Sequence, residues 1–270
     1  MEWWNIYLLY LLIAGAFVGF FAGLLGIGGG LIIVPVLITL FTAQNFPANS
    51  ISHVALGTTM ATILFTSISS LYAHYRHNAV QWNIVISMTP GIFLGTLMGT
   101  VLVSSLTGNT LNTIFVIFIF SVATQMLLQF RPRAMFQLPG KIGLFFAGGL
   151  IGGISSLVAI GGGLLSVSFL TMCQVKIQHA IGTAAAIGFP IALAGTIGYA
   201  ANEILHPGLE LPKYSLGYIY LPALACLVLT SSLTAPIGAK MTYSMKTSIL
   251  KTIFIALLYC IGIKMLIDLV

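Results

Sequence analysis

The chain has 270 residues, of which 59% are hydrophobic and only 5% are charged. An ordinary soluble domain carries about 25% charged residues, so this composition and a mean hydropathy of +1.08 exclude a water-soluble fold. At about 20 apolar residues for each spanning helix, the chain has room for about eight membrane crossings and for no appended soluble domain.

The formal net charge of +6 comes from basic residues that stand singly between apolar segments, where cytoplasmic loops normally carry them. No basic stripe with interleaved aromatic residues occurs, so we expect no nucleic-acid partner. Cys173, Cys226 and Cys260 are odd in number and lie in apolar stretches. They predict neither a disulfide framework nor a metal site, and we expect no cofactor.

Apolar runs separated by polar residues, glycine or proline predict ten helical segments in chain order. They lie near residues 6–25, 31–43, 50–73, 82–104, 110–129, 142–159, 164–175, 179–202, 214–238 and 249–268. Backbone polar groups in lipid need partners within their own segment, and no strand-like alternation of polar and apolar residues occurs. The predicted fold class is therefore an all-α membrane protein.

The sequence contains an internal duplication, and the polar stretch at residues 130–141 divides its two halves. We predict a first membrane repeat at residues 1–135 and a second at residues 136–270. Matching residues follow in the same order in both halves, at offsets of 133, then 125 to 126, then 139. The matched sets include Gly28, Gly29 and Gly30 with Gly161, Gly162 and Gly163; His53 and Thr58 with His179 and Thr183; and Gly99 with Gly238.

The number of crossings depends on the path at the two glycine clusters. If residues 6–43 and 142–175 each cross once, there are eight spans, and Lys plus Arg divide 6 to 4 between the two sides. If the chain turns back at each cluster, ten segments divide them 8 to 2, which obeys the positive-inside rule. Five segments in each half make the repeats inverted, with eight long helices, short broken or re-entrant arms, and both termini outside.

The second arm of each interrupted pair is too short for a full crossing. Residues 31–43 and 164–175 form helices of roughly 18 to 20 Å, against a hydrocarbon core of about 30 Å. Short, glycine-interrupted segments at matching positions of inverted repeats are typical of the binding site of a transporter, near the midplane.

The clusters GIGGGLIIVP and AIGGGLLSVS each place three glycines before an apolar helix. Open backbone N–H groups and the positive end of the helix dipole favour an anion at such a point. The alternative is close helix packing, which glycines also permit. The candidate substrate-binding residues here are Gly28, Gly29, Gly30, Gly161, Gly162 and Gly163.

Histidine and threonine open the next segment of each half. His53 and His179 can donate hydrogen bonds to an oxyanion and can titrate near neutrality. Thr58 and Thr183 offer hydroxyl donors. The alternatives are a histidine satisfied at the membrane interface, and helix capping or hydrogen bonding between helices by the threonines.

The missing residue types narrow the function. No Asp or Glu lies deep within a segment, which disfavours cation transport. No Walker loop occurs, so this chain is not driven directly by ATP. No GxSxG elbow accompanies Ser155 or Ser156, and we expect no enzyme activity.

Five stretches along nearly the whole chain resemble the sulfite exporter TauE/SafE family of membrane permeases. They are GIGGGLIIVP, its second-half echo, HVALGTTMATI, HAIGTAAAIGFPIALAGTIGY and SLYAHYRHNAV. The resemblance implies movement of sulfite, sulfoacetate or other organosulfonates across the bacterial inner membrane. Two positions depart from the family pattern: Ser168 replaces a common proline, and Ala184 replaces a common serine.

These observations predict a secondary transporter of small oxyanions that works by alternating access. The expected partners are a small anionic substrate and the lipid bilayer. The sequence does not decide whether the chain forms a homo-oligomer. The alternative function is a non-transporting membrane scaffold subunit of a sulfur-metabolism complex.

Overall fold

The computed structural model describes residues 2–25, 29–128, 137–205, 208–244 and 248–269. These residues form ten helices and one short hairpin. In chain order they are α1 (Glu2–Leu25), α2 (Gly30–Ala43), α3 (Ile51–Arg76), α4 (Trp82–Ser105), α5 (Gly108–Leu127), α6 (Lys141–Leu157), α7 (Gly163–Met172), α8 (Ile177–Leu205), β1 (Ser215–Leu216), β2 (Ile219–Tyr220), α9 (Leu221–Ser244) and α10 (Ser248–Leu269).

Seven of the described helices are long and apolar enough to cross a membrane: α1, α3, α4, α5, α8, α9 and α10. Helix α6 has 17 residues and reaches about 26 Å, while α2 with 14 residues and α7 with 10 reach about 21 and 15 Å. The predicted all-α membrane fold, with long helices and short arms, is confirmed.

One predicted boundary was wrong. The apolar run at 214–238 was expected to be helical throughout, but α9 begins at Leu221, and the residues before it form an antiparallel β1–β2 hairpin. Tyr214 and Gly217 both have positive φ angles, of 69° and 54°, which stop a helix there. Tyr218 and Tyr220 are buried, so the apolar run reflects a buried turn.

Helices α3 and α8 lie at the centre of the molecule. In each, 72% of the span is buried, against 28% to 44% in the other five spans. They run in opposite directions, because Met60 near the start of α3 contacts Gly195 in the second half of α8, whereas Ser67 lies by Gly188. A connection that follows each of these helices packs on the start of the other: Ala79 lies against Gly182 of α8, and Tyr218 lies against Gly57 of α3.

Two further pairs, α1 with α9 and α4 with α6, pack in parallel through glycines. In the first pair, a side chain at Gly23 would meet the backbone of Ala235. In the second, one at Gly91 would meet the backbone of Phe145. Such close backbone contact replaces the hydrophobic effect as the source of helix association in lipid.

The chain turns back at both glycine clusters. The Tyr7 hydroxyl near the start of α1 donates a hydrogen bond to the Ala43 carbonyl at the end of α2, at 3.5 Å. In the second pair, α7 ends four residues before α8, which starts at the face where α6 also starts. Helix α2 therefore ends at the face where α1 begins, and α7 ends at the face where α6 begins.

The described basic side chains divide unevenly between the two ends of the helices. Arg76, Lys141, Lys176 and Lys240 lie where α1, α3 and α9 end and where α4, α6 and α8 begin, and we call this end the basic face. Lys213 precedes α9 at the opposite face. Lys264 donates a hydrogen bond to Thr39 of α2 in the half of the molecule toward that opposite face.

Candidate functional site

Each short arm starts from a glycine in a left-handed conformation. Gly29 before α2 has φ 78°, and Gly162 before α7 has φ 65°. Side chains rarely adopt this backbone conformation, so the central glycine of each triplet is required by the turn itself. Its carbonyl accepts the first helical hydrogen bonds, from Ile32 and Ile33 in one arm and from Ser166 in the other. Gly28 lies outside the described residues.

The two glycine clusters meet inside the protein. An added side chain at Gly30 would collide with the carbonyl of Ala159 and lie 3.3 Å from the Cα atom of Ile160. The backbone of the first arm thus rests directly on the turn that leads into the second arm. Gly29, Gly30 and the residues Gly161 to Gly163 are all buried. The structure brings both predicted clusters together, away from lipid.

The two threonines hold the start of a helix in the opposite half of the chain. The backbone N–H of Tyr220, just before α9, donates to the Thr58 hydroxyl at 2.9 Å. The backbone N–H of Gln81, just before α4, donates to the Thr183 hydroxyl at 3.0 Å. Both threonines are fully buried. They make the hydrogen bond between segments that was the alternative to substrate contact.

The two histidines lie beside the same connections. His53 packs its ring 5.3 Å from the ring of Tyr218, and its Nε2 donates to the Val103 carbonyl at 3.3 Å. His179 donates from Nδ1 to the Ala79 carbonyl, also at 3.3 Å. Each histidine therefore has a backbone partner and lies near a helix start, away from the meeting point of the glycine clusters.

A small cavity lies between α3 and α8, next to the second glycine cluster. It measures about 10 Å³, room for roughly one water molecule. Gly161 is the predicted site residue that lines it, and Ala184, the departure noted above, lines it too. The remaining lining residues are Ala22, Ile63, Thr66, Ser67, Ser70, Ala185 and Gly188.

Sequence reasoning missed the three hydroxyls of α3 that face this cavity. Thr66 donates to the Thr62 carbonyl at 2.6 Å, and Ser67 donates to the Leu64 carbonyl at 2.9 Å. Ser70 is 5% exposed, and its hydroxyl has no hydrogen-bond partner among the described residues. The signal was present as the four-residue spacing from Thr58 to Ser70, which keeps the hydroxyls near one side of a helix.

The buried interior is free of formal charge in the part of the chain whose side chains are described. No Lys, Arg, Asp or Glu is buried there. No group of three or more His, Cys, Asp or Glu side chains that could hold a metal ion occurs among the described residues. Any solute bound between α3 and α8 therefore meets hydroxyls, backbone groups and apolar side chains.

The fold and this central, uncharged site define a multi-pass helical membrane protein built around interrupted helices. The family model described as "Sulfite exporter TauE/SafE" matches residues 11–265. The chain belongs to this family, which confirms the resemblance seen in the sequence. It is a membrane permease by family.

Curated relatives agree with this membership. A "Probable membrane transporter protein" of Haemophilus influenzae is 36% identical over 264 residues, covering 96% of this chain and 98% of that protein. Proteins with the same description from Methanocaldococcus jannaschii and Bacillus subtilis are 25% and 24% identical, covering 95% and 87% of this chain and 94% and 90% of their own lengths. No solved structure matches the chain significantly.

Proposed function

We propose that this protein is a secondary transporter of small oxyanions, with sulfite and organosulfonates as the first substrates to test. The observation that carries the proposal is the contact between Gly30 and the Ala159–Ile160 backbone. Two short helices thus begin where the interrupted segments meet, in the buried centre. Broken helices that meet near the midplane typically form the binding site of a secondary transporter.

Backbone groups are the proposed substrate ligands. Gly29 and Gly30 in the first arm, and Gly161, Gly162 and Gly163 in the second, lie at helix starts, where N–H groups and the helix dipole favour negative charge. Gly28 belongs to the proposed set by its sequence. Direct substrate contact by His53, His179, Thr58 and Thr183 stays a prediction, because in this conformation each has a backbone partner.

We further propose that residues 1–135 and 136–270 are inverted repeats. The packing supports this, because α1 with α9 and α6 with α4 are equivalent pairs, and α3 packs antiparallel to its counterpart α8. Relative rocking of such repeats exposes a central site to one side of the membrane at a time.

The proposed location is the bacterial inner membrane, with the basic face in the cytoplasm. Arg76, Lys141, Lys176 and Lys240 then follow the positive-inside rule, and both termini lie in the periplasm. A cysteine placed at Lys176 and one at Lys213 would react with a membrane-impermeant thiol reagent from opposite sides. Labelling of both from the same side would contradict this orientation.

Reconstituted transport tests the proposed function. Purified protein in liposomes should accumulate labelled sulfite or sulfonate against empty liposomes. Gly30→Ala should lower uptake at least tenfold, because even one methyl group meets the Ala159 carbonyl. Gly149→Ala is the matched control, since its new methyl group lies 3.6 Å from the nearest atom, an ordinary contact. Folded wild-type protein that moves none of these anions would overturn the proposal and favour the scaffold alternative.

A further inference from the structure

The interface between α3 and α8 is open at one end and filled at the other. Toward the opposite face, Met60 packs against Gly195, with its sulfur 3.1 Å from the position of an added methyl group. Toward the basic face, the cavity separates the two helices, with Ser67 and Ser70 of α3 and Ala185 and Gly188 of α8 among its lining residues. The residues that α8 places beside these hydroxyls are alanine and glycine, with side chains no larger than a methyl group.

Among the three α3 hydroxyls that line this cavity, that of Ser70 donates no hydrogen bond within the described residues. The neighbouring Thr66 and Ser67 donate to carbonyls of their own helix, as hydroxyls in membrane helices commonly do. Ser70 makes no such bond within the described residues, although it is 95% buried. A buried hydroxyl without a partner is unfavourable, so this one requires an explanation.

Gly161 places the second glycine cluster against the same cavity. An added methyl group on Gly188 would lie 3.0 Å from the Gly161 carbonyl, so this turn forms one wall of the cavity. A solute in the cavity would therefore touch both the turn that opens α7 and the Ser70 hydroxyl. With room for about one water molecule, the cavity is too small for a sulfonate, so substrate binding here requires α3 and α8 to separate.

The charge of the surroundings limits the charge of the solute. Neither Lys nor Arg is buried among the described side chains, so none of these supplies a counter-charge at the cavity. Removing a doubly charged anion from water without a counter-charge costs far more than removing a singly charged one, because the solvation energy grows with the square of the charge.

We propose that Ser70 is a substrate-binding residue, whose hydroxyl donates a hydrogen bond to a singly charged oxyanion that enters from the basic face. This inference rests on the proposed function and adds to it a residue, a side of entry and a charge class. A substrate oxygen accepts the hydrogen bond of the Ser70 hydroxyl, and the bound anion lies beside the start of α7 at Gly163, where backbone N–H groups favour negative charge. Anions with two charges are selected against.

Uptake of methanesulfonate into liposomes tests the residue. Ser70→Ala should raise the apparent KM about tenfold, as expected for one lost hydrogen bond to a charged group. Ser70→Thr keeps the hydroxyl and should stay within about threefold of wild type. Ser231→Ala is the matched control, because Ser231 is also a buried serine without a hydrogen-bond partner among the described residues, but it does not line the cavity. Its apparent KM should not change.

Comparison with sulfoacetate, which carries a second negative charge, tests the charge class. Wild-type protein should take up methanesulfonate with at least tenfold higher efficiency. Equal or reversed preference would overturn the charge class, and a Ser70→Ala variant with the wild-type KM would overturn the residue, both while uptake itself persists. Wild-type protein that moves no anion at all would instead remove the proposed function and this inference with it.

Discussion

Helices α3 and α8 hold matching positions in the two halves of the chain, yet their buried faces differ in chemistry. On α3 the buried residues include seven with a hydroxyl: Ser52, Thr58, Thr59, Thr62, Thr66, Ser67 and Ser70. The buried side chains of α8 are mostly small and apolar, among them Ala184, Ala185, Ala186, Ala192 and Ala194. Helix α3 thus contributes hydroxyl groups to the interface, and the small side chains of α8 leave space beside them.

The residues that both helices share have a structural role. Thr58 and Thr183 each accept a backbone N–H that precedes a helix of the other half. Ser70 on α3 and Ala185 on α8 line the cavity, whereas their counterparts at the spacing that relates Thr58 to Thr183, Gly195 and Met60, contact each other toward the opposite face. The two shared threonines thus connect the two halves of the chain, and the cavity lies between residues that the two helices do not share.

The largest effect should come from filling the open end of the α3–α8 interface. Gly188→Ala places a methyl group 3.0 Å from the Gly161 carbonyl, against backbone that yields little. Liposome uptake should fall at least tenfold. Gly195→Ala on the same helix meets the flexible end of Met60 and should keep more than half of the wild-type rate. Equal losses in both variants would mean that the two ends of the interface do not differ in function.

A smaller effect, on stability, should come from the shared threonines. Thr58→Val and Thr183→Val each leave a backbone N–H without its acceptor, and each should lower the free energy of unfolding in detergent by about 1–3 kcal/mol. Thr113→Val, which removes only an exposed bond to the Asn109 carbonyl, is the control and should change it by less than about 0.5 kcal/mol. A large loss for one threonine with none for the other would refute their equivalence.

The smallest effect should come from a cavity hydroxyl that already bonds its own helix. Ser67→Ala removes a donor that the Leu64 carbonyl already engages, so the apparent KM for methanesulfonate should rise by less than about threefold. An increase as large as that expected for Ser70→Ala would show that Ser67 turns its hydroxyl toward the substrate.

The fold followed from composition and spacing to a large extent. Apolar runs of this length form helices in lipid, because a helix satisfies its own backbone hydrogen bonds. The glycine triplets marked the points where the chain turns back. The β1–β2 hairpin was missed because its residues are as apolar as a helix, and its turns depend on backbone angles at Tyr214 and Gly217. Apolar content alone does not distinguish a buried turn from a helix start.

The candidate site was only partly predictable. The duplication singled out Thr58 and Thr183, but their partners, Tyr220 and Gln81, lie more than 100 residues away and emerge only from the packing of opposite halves. The four-residue spacing from Thr58 to Ser70 placed these hydroxyls near one side of α3 but did not distinguish Ser70 from the others, because hydroxyls in membrane helices usually bond their own backbone. The neighbouring helix determines which hydroxyl does not bond the backbone of its own helix.

The most direct test of the account is a structure of the protein in lipid nanodiscs with saturating methanesulfonate. Sulfonate density should lie between α3 and α8, touching the backbone near Gly30 and Gly161, with a sulfonate oxygen within hydrogen-bond distance of the Ser70 hydroxyl. Density bound elsewhere, with the two glycine clusters still closed on each other, would contradict the account.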